Sequence, residues 1–478
     1  MLFNSYVFIL FFVVVFSGYR IFLHFGKMQA GKILLILASF YFYGFFKWSY
    51  MPIMAVSILV NYWLCTRIRS AEGERAKKAL TALGCILNLG VLGYFKYTGF
   101  FLENLNTIFS LNILIPRIVL PLGISFYTFQ QISFLVDCCR GQIPRYTLID
   151  YALFVTFFPQ LIAGPIVLPG EMLPQFQDPA RRALNWENMN TGLFWFACGL
   201  MKKCFVADSL AMIANLGFES GAQLTTGEAW LVSLAFTFQL YYDFSGYCDM
   251  AMGIGKFFNI DLPLNFNSPY KSTNMQDFWR RWHITLGRFM LNYLYIPLGG
   301  NRKGSARTLL NLLTVFLLSG LWHGAGWLFL IWGGLHGLGI LIHRLWRDVM
   351  KKSFHDWKIP RIPAVIITFF FVNIFWVFFR ANTLSRAWSI LTSMFRLTGP
   401  YGVTESFSDA LDSFDLSRDQ LLGVLAASAA VALLLPNSAF FAEWFRKHFA
   451  FRMIATILLF IFGFLCISRM SPFLYFNF

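Results

Sequence analysis

The sequence predicts an all-α, polytopic integral membrane protein with about eleven or twelve transmembrane helices. Three observations predict this class. Of the 478 residues, 57% are hydrophobic and only 13% are charged, whereas ordinary soluble domains carry roughly 25% charge. Apolar windows of roughly 17 to 25 residues, long enough to cross a bilayer, recur along the whole chain. The basic residues gather in the short segments between these windows, as the orientation of membrane helices requires.

The apolar windows differ in length and continuity. The first has no basic segment before it and no small-residue cleavage site after it, so we interpret it as a membrane helix rather than a removable signal peptide. Two Gly/Pro-interrupted segments, residues 121–136 and 286–299, are expected to be re-entrant or interfacial, which requires cover by protein or a cavity. The windows lie near residues 3–19, 31–47, 51–66, 79–95, 148–168, 191–216, 228–251, 308–323, 325–343, 362–380, 420–436 and 453–470.

The charges between the windows predict the orientation. Basic residues fill segments 20–32, 67–78 and 344–352, whereas segment 401–419 carries five acidic residues and one arginine. Because cytoplasmic loops are enriched in Lys and Arg, the basic segments are placed in the cytoplasm. Both termini are therefore expected on the outer side of the membrane.

The remaining composition excludes several classes of protein. The net charge of +16 is spread over short loops, without the basic tail or finger motif of a nucleic-acid-binding protein. The eight cysteines show no metal-binding spacing, and neither a disulfide framework nor a metal site is expected.

No repeat or composition shift divides the chain, so one integral domain over residues 1–478 is predicted. The polar motifs gather between Asp243 and His336, which favours one reaction centre over alternating access.

His323 is the first candidate functional residue, because it lies in a run from Thr308 to Ile342 without any charged side chain. A polar group at membrane depth is costly unless it has partners or a task. In the simpler interpretation, His323 forms a hydrogen bond between two packed helices. In the functional interpretation, its neutral imidazole accepts a proton from a substrate hydroxyl, and Trp322 forms part of the pocket wall beside it. His336 is expected to support this position. Neighbouring glycines that would allow close helix packing are Gly320, Gly324 and Gly326.

Two acidic residues, Asp243 and Asp249, stand at the end of an apolar window. They are interpreted either as helix-end acids paired with loop arginines or as braces of a cavity wall. In the second case one of them fixes a nearby arginine; the candidates are Arg280, Arg281 and Arg288.

Segment 277–286 concentrates two arginines, two tryptophans and a histidine, and follows an Asn/Ser/Pro loop that contains Asn267. One interpretation is an aromatic and basic belt against lipid headgroups. The alternative is a substrate site in which Arg280 or Arg281 binds the phosphates of an anionic donor, and His283 lines the donor's path beside Trp282. No GxSxG elbow or reactive-cysteine context favours covalent catalysis.

These motifs together resemble the membrane-bound O-acyltransferase superfamily, and more closely its bacterial branch with the alginate O-acetyltransferase membrane subunit and the D-alanyl transfer protein. The resemblance covers most of the chain. The segments that carry it are PLGISFYTFQQISFLVD (121–137), FFPQLIAGPIV (157–167), YYDFSGYCDMAMGIGKFFNI (241–260), LNFNSPYKSTNMQDFWRRWHITL (264–286), YLYIPLGGNRKG (293–304) and GLWHGAGW (320–327).

The resemblance implies a fold with a central funnel or tunnel in the inner membrane of a bacterium. It places the family's near-invariant histidine on His323 and its second tunnel histidine on His283. It also implies an extracytoplasmic acyltransferase or acceptor protein that carries the acyl group to a polysaccharide. Leu291 and Asn292 depart from the Arg-Asp pair expected in many relatives, which puts a local salt bridge or partner contact in doubt.

From these residues and the resemblance we expect an O-acyltransferase that moves an acetyl group from a cytoplasmic thioester to an extracytoplasmic hydroxyl. The expected donor is acetyl-CoA or an acyl carrier protein thioester, with no bound cofactor. His323 and His283 are the expected catalytic residues. A transporter or flippase for an anionic or lipid-linked solute is the alternative, and a scaffold subunit is a third. The expected substrate-binding residues are Arg280, Arg281, Trp282, Trp322, Asn267, Asp243 and His336.

Overall fold

The computed structural model describes residues 1–353, 359–469 and 473–474. Over these residues the protein is helical and contains no β-strand, which confirms the all-α prediction. The chain forms two compact units, residues 1–196 with 248–263 and residues 197–247 with 264–478. The single integral domain expected over residues 1–478 stays a prediction.

The first unit contains eight helices and parts of two others. The chain passes between the units at three points, two of which lie inside helices. The helices up to α11 are α1 (Tyr6–His24), α2 (Met28–Gly44), α3 (Met51–Ser70), α4 (Glu74–Phe109), α5 (Ile124–Cys139), α6 (Leu148–Thr156), α7 (Phe158–Leu161), α8 (Pro169–Gln177), α9 (Trp186–Met201), α10 (Asp208–Glu219) and α11 (Thr226–Phe257).

The second unit continues through ten further helices. Two π-helical segments, Lys202–Ala207 after α9 and Leu291–Tyr295 after α13, interrupt the regular pattern. The helices are α12 (Met275–Arg281), α13 (Ile284–Met290), α14 (Gly304–His323), α15 (Trp327–Ser353), α16 (Arg361–Arg380), α17 (Leu384–Met394), α18 (Glu405–Asp412), α19 (Arg418–Leu434), α20 (Ser438–Arg446) and α21 (Phe449–Leu465).

Six helices of the described residues are long and apolar enough to cross a membrane, which supports a multi-pass membrane protein. The bent pair α19 and α20, which meet at 67°, makes a seventh if it is one span. The predicted count of eleven or twelve is higher because several apolar windows fall on shorter or broken helices; window 148–168, for example, is divided between α6 and α7. The six are α1, α3 with its preceding turn, α4, α14, α15 and α16.

The first unit buries polar groups in pairs. Lys32 of α2 and Asp150 of α6 form an ion pair with 2.5 Å between Nζ and Oδ1, and Asn61 of α3 exchanges side-chain hydrogen bonds with Asn88 of α4. Paired polar side chains avoid the cost of burying a charge or an amide alone. Segment 121–136, expected to be re-entrant, falls mainly on α5, which is buried along almost its entire length.

The hairpin of α14 and α15 builds the framework of the second unit. A Cβ atom on Gly320 would lie 2.2 Å from the carbonyl oxygen of Phe329, and one on Gly333 would lie 2.3 Å from that of Phe316. Only glycine therefore allows the two backbones to approach this closely. A Cβ atom on Gly324 would clash with the Phe329 ring, whereas a Cβ atom on Gly326 would meet no atom closer than 3.8 Å.

Candidate active site

His323 is the last residue of α14, and the chain leaves the helix at Gly324 in an extended conformation. The side chain is buried, with 3% exposure. Aromatic rings surround the imidazole, with centroid distances of 4.9 Å to Trp322, 5.1 Å to Trp332 and 5.4 Å to Phe379. The candidate base thus lies in an aromatic enclosure from which bulk water is excluded.

His283 lies beside it, although it comes from a different part of the sequence. It precedes α13 with the left-handed backbone angles φ 45° and ψ 52°, a conformation uncommon outside glycine. Its imidazole is fully buried, and the ring centroid is 6.2 Å from that of His323 and 4.8 Å from that of Phe244. The structure therefore brings the two predicted histidines together.

Asn265 fixes which nitrogen of His283 carries the proton. The Asn265 side-chain oxygen lies 3.2 Å from Nδ1 of His283 and accepts from the backbone N–H of Thr285 at 3.2 Å and its hydroxyl at 2.9 Å. A carbonyl oxygen only accepts hydrogen bonds, so Nδ1 must carry the proton. Nε2 of His283 is then the basic nitrogen.

The environment of His283 favours the uncharged imidazole. The residue lies between α12 and α13, outside the membrane-spanning helices. Burial lowers the pKa of His283 from 6.5 to about 3, because desolvation penalises the charged form. The imidazole is accordingly neutral at physiological pH.

His336 has the opposite tautomer. The indole N–H of Trp279 donates to Nδ1 of His336 at 3.1 Å, and since an indole N–H can only donate, the proton of His336 is on Nε2. The Trp332 ring packs on both histidines, 4.9 Å from His336 and 5.1 Å from His323. His336 thus contacts the wall of the enclosure, which is consistent with a supporting position.

The other predicted substrate-binding residues in this region have packing or bonding partners. Trp282 is buried and packs on Phe266 and Trp376, with centroid distances of 5.0 and 4.9 Å. Asn267 bonds through its backbone N–H to the carbonyl of Arg281 at 2.9 Å, and its side chain accepts from Asn437 at 2.8 Å. In this structure both residues hold the loop that leads to His283.

A cavity of about 530 Å³ lies in the second unit, and its wall includes Trp279, which donates to His336. Its lining includes four arginines, Arg280, Arg288, Arg344 and Arg347, and no acidic side chain. Sequence reasoning selected Arg280 and considered Arg288, but interpreted the two α15 arginines only as markers of a cytoplasmic loop. Their spacing of three residues, which places both on one helical face, is the signal that could have found them.

Two residues of the cavity wall are close in the chain to the candidate catalytic histidines. Ser319 and Ile284 both line it. Ser319 is one helical turn before His323 in α14, and Ile284 directly follows His283. The cavity wall therefore includes residues that are close in the chain to both histidines.

Arg281 does not line this cavity. Its Nε bonds to Asp277 at 2.9 Å within α12. Asp243, one of the two acids expected to fix a loop arginine, pairs with a lysine instead, so the prediction is wrong for this residue, while for Asp249 it stays a prediction. Asp243 receives a bond of 2.7 Å from Lys203 in the π-helical segment after α9.

Lys203 is the centre of a buried ionic cluster. Its ammonium also bonds to Asp208 at 2.8 Å, and the backbone N–H of Leu474 donates to the second oxygen of Asp243 at 3.0 Å. The Phe473 ring lies 4.8 Å from the Lys203 ammonium. This cluster anchors the described part of the C-terminal tail, while a role of Asp243 in substrate binding stays a prediction. In the residues described here, no three His, Cys, Asp or Glu side chains are grouped as a metal site would require.

A helical membrane protein with two neighbouring buried histidines and an arginine-lined cavity in the same unit has the features of a membrane-embedded group-transfer enzyme. Comparison with known proteins identifies the family. Residues 139–385 match the membrane-bound O-acyltransferase family, MBOAT. The protein belongs to this family and is an O-acyltransferase.

Three relatives illustrate the range of the family. The peptidoglycan O-acetyltransferase of Helicobacter pylori is 42% identical, over 100% of this chain and 98% of its own. The probable alginate O-acetylase of Azotobacter vinelandii is 39% identical, over 91% of this chain and 84% of its own. The teichoic acid D-alanyltransferase of Bacillus subtilis is 26% identical, over 52% of this chain and 66% of its own. The predicted family is thereby confirmed.

Proposed function

We propose that the protein transfers an acetyl group from a thioester on the cytoplasmic side to a hydroxyl of a cell-envelope polysaccharide on the other side of the membrane. The observation that carries this proposal is the arginine-lined cavity, whose wall includes Ser319 and Ile284, which are close in the chain to the two neighbouring buried histidines. The names of the two O-acetyltransferase relatives support the acetyl group.

The donor would be held by charge. Four guanidinium groups line the cavity, of which Arg347 also contacts the exposed Asp348 outside the lining at 3.4 Å, and guanidinium groups match the phosphates of coenzyme A or of a carrier protein's prosthetic arm. Arg344 and Arg347 lie near the end of α15, in a basic segment that we expect in the cytoplasm. The thioester end of the donor would then extend past Trp279 toward Ser319.

His323 would act as the general base. Its neutral imidazole removes the proton from the acceptor hydroxyl while the oxygen attacks the thioester carbonyl carbon. The carbon–sulfur bond then breaks, the acetyl group stays on the oxygen as an ester, and the imidazolium returns the proton to the thiolate. Because His323 ends α14, the negative pole of the helix dipole stabilises the transient imidazolium.

His283 would orient one of the reactants rather than remove the proton. Its Nε2 is a hydrogen-bond acceptor with a fixed direction, since Asn265 holds the ring through Nδ1. A hydroxyl that donates to this nitrogen is held close to the base, which is 6.2 Å away between ring centroids. Fixing the reacting groups in this way lowers the entropic part of the barrier.

The acceptor is proposed from the relatives, and peptidoglycan is the first to test because the relative with that name aligns over 98% of its length. An extracytoplasmic partner protein would receive the acetyl group or present the polysaccharide. Both chain termini would lie on that outer side of the membrane.

The decisive experiment uses the purified protein in membrane vesicles with the thioester donor outside and acceptor glycan inside, so that only transfer across the bilayer yields product. [¹⁴C]Acetyl-CoA and [¹⁴C]acetyl carrier protein are supplied separately, with peptidoglycan fragments or alginate as acceptor. We expect radioactive label in an alkali-labile ester on the glycan. A parallel experiment adds the extracytoplasmic partner protein. Movement of a solute without any labelled ester would instead show a transporter and overturn the proposal.

A further inference from the structure

Half of the eight cysteines of the chain gather around the end of α5 in the first unit, and all are free thiols. The thiol of Cys138, in the last turn of α5, donates to the backbone carbonyl oxygen of Cys65 in α3 at 3.5 Å. The side chains of these two residues are also direct neighbours. The next residue, Cys139, lies within electrostatic range of Cys85 in α4. Cys138 and Cys65 therefore form a pair of thiols from two different helices.

A surface cavity of about 230 Å³ gives access to one member of this pair. Cys138 and Cys139 line it together with Arg69 and Gly141, both of which are exposed. Its volume is several times the roughly 30 Å³ that one water molecule occupies, so a small solute fits inside. Cys65 is 0% exposed and does not line the cavity. A reagent from solvent would therefore meet Cys138 first.

The lining of this cavity carries positive charge. Arg69 and Lys77 line it, and none of the lining residues is acidic. Arg69 also packs on the Tyr146 ring, and Lys77 contacts the exposed Glu74 outside the lining at 3.7 Å. Cationic neighbours favour the thiolate, which is the reactive form of cysteine, whereas a buried cysteine without them is inert. Cys138 thus combines access from solvent, cationic neighbours and a second thiol beside it.

We propose that Cys138 is a site of reversible oxidation by small hydroperoxides, and that Cys65 then joins it in a disulfide between α3 and α5. These two helices pack against each other, so the bond would cross-link neighbouring elements of the first unit. Residues 67–78, which include both cations, are expected on the cytoplasmic side of the membrane. Because cytosolic thiols are kept reduced and disulfides there are usually transient, the pair of thiols is the resting form.

The oxidation proceeds in two balanced steps. The Cys138 thiolate attacks one peroxide oxygen and the O–O bond breaks. Cys138 becomes a sulfenic acid, and the hydroperoxide is reduced to an alcohol, or hydrogen peroxide to water, with the proton that the thiol released. The Cys65 sulfur then attacks the sulfenic sulfur, the S–O bond breaks, and hydroxide leaves as water with the Cys65 proton. A cellular thiol would reduce the disulfide again by thiol–disulfide exchange.

Peptide mapping of the full-length protein tests this proposal. The protein is purified in detergent under reducing conditions, freed of reductant and exposed to hydrogen peroxide while it is folded, as judged by size-exclusion chromatography. It is then denatured in N-ethylmaleimide, digested and analysed by mass spectrometry. We expect a peptide pair that joins Cys65 to Cys138, forms only after peroxide treatment and is lost in dithiothreitol.

Two serine substitutions distinguish the thiol that reacts first from the thiol that closes the bond. Cys65→Ser should leave a sulfenic acid on Cys138, which dimedone labels. Cys138→Ser should leave Cys65 reduced and without this label. Cys466→Ser, outside the first unit, is the matched control and should form the cross-link as the wild type does. Dimedone label on Cys65 in the Cys138→Ser variant would contradict the assigned order.

The role of the cations is tested by the rate of cross-linking. Arg69→Gln should slow the reaction by about threefold to tenfold, since the loss of a cationic neighbour lowers the fraction of thiolate. Arg67→Gln, an exposed arginine of α3 outside the cavity lining, should react at the rate of the wild type. Equal rates in the two variants would count against an activated thiol at this cavity.

Three results for the wild type would overturn the proposal. They are the absence of the Cys65–Cys138 peptide pair after peroxide treatment, a cross-link that forms only in the unfolded chain, and a bond from Cys138 to Cys139 in its place. The readout is the mass of a peptide and not a turnover. The outcome is therefore independent of whether the protein transfers acetyl groups.

Discussion

The imidazole rings of His283 and His323 lie with their centroids 6.2 Å apart, and Trp322 packs on both of them at 6.0 and 4.9 Å. The tautomer of His283 is fixed by Asn265, which leaves Nε2 as its basic nitrogen. Two imidazoles at this distance can act on one substrate hydroxyl and one thioester. The first two predictions concern this pair.

Replacing the proposed base should abolish most of the turnover. His323→Ala is expected to lower kcat for acetyl transfer by about a hundredfold to ten-thousandfold, the usual range for a general base. Turnover is measured as labelled ester per amount of folded protein, judged by size-exclusion chromatography. His24→Ala, at the exposed end of α1, should behave as wild type. Near-normal turnover in folded His323→Ala would remove the assigned role.

The Asn265 contact predicts a change in the pH profile. Since burial lowers the pKa of His283 to about 3, the wild type should show no loss of activity from this residue between pH 5 and 8. Asn265→Asp places a carboxylate against Nδ1, raises the pKa of His283 and favours the imidazolium. Activity should then fall as the pH decreases through the raised pKa, because Nε2 becomes protonated.

Asn265→Ala supplies the control for that profile. It removes the bond to His283 without adding a charge, so activity should fall by a similar factor at every pH. If both variants lost activity at low pH in the same way, the carboxylate at position 265 would not be the cause of that loss.

The arginine-lined cavity predicts a change in donor affinity. Arg344→Gln is expected to raise the KM for the acetyl donor by roughly tenfold to a hundredfold, since a hydrogen bond to a charged group contributes about 1.5–3 kcal/mol. The effect on kcat should be smaller, because the guanidinium is remote from the reacting carbonyl. Arg307→Gln, an exposed arginine of α14 outside the cavity lining, should leave KM unchanged. Equal effects of the two substitutions would argue against a donor site here.

The helix crossing predicts different effects of two neighbouring glycines. Gly333→Ala would place a methyl group 2.3 Å from the Phe316 carbonyl oxygen, and should destabilise the protein by about 1–3 kcal/mol and displace His323. Gly334→Ala meets Leu317 at an ordinary 3.5 Å and should be neutral or slightly stabilising, as alanine favours helix. Thermal unfolding of the detergent-solubilised variants measures the difference. Similar melting temperatures would contradict the close approach.

The buried ionic cluster predicts unequal costs for its members. Lys203→Met leaves Asp208 and Asp243 without their cation and should cost about 3–5 kcal/mol. Asp243→Asn should cost less, because Lys203 keeps its bond of 2.8 Å to Asp208. The amounts of folded protein and the unfolding midpoints of both variants check this order. A larger loss in Asp243→Asn would show that the contact with Leu474 is the dominant one.

Much of the candidate site was predictable from local sequence. His323 could be selected because an uncharged apolar run makes a titratable side chain conspicuous, and His283 because it stands among arginines and tryptophans. The partners of these residues could not be selected in the same way. Asn265 and Trp332 are ordinary polar and apolar residues, and only their positions beside the imidazoles give them a role.

The number of spans shows a related limit. A hydropathy window measures how apolar a segment is, whereas crossing a bilayer also requires an unbroken helix of sufficient length. Residues 148–168 are apolar throughout but are interrupted between α6 and α7. Composition therefore predicted the membrane class correctly, and a larger number of spans than there are long apolar helices among the described residues.

The sequence by itself determined that this is a helical membrane protein, to which family it belongs and which two histidines are the candidates for chemistry. These properties follow from composition and from residues close together in the chain. Only the tertiary structure decided that Asp243 pairs with Lys203, that Arg344 and Arg347 join Arg280 and Arg288 around one cavity, and that Asn265 sets the tautomer of His283. The reason is physical: charge pairing and hydrogen bonding act over a few ångströms in space, and helix packing decides which distant residues come within that range.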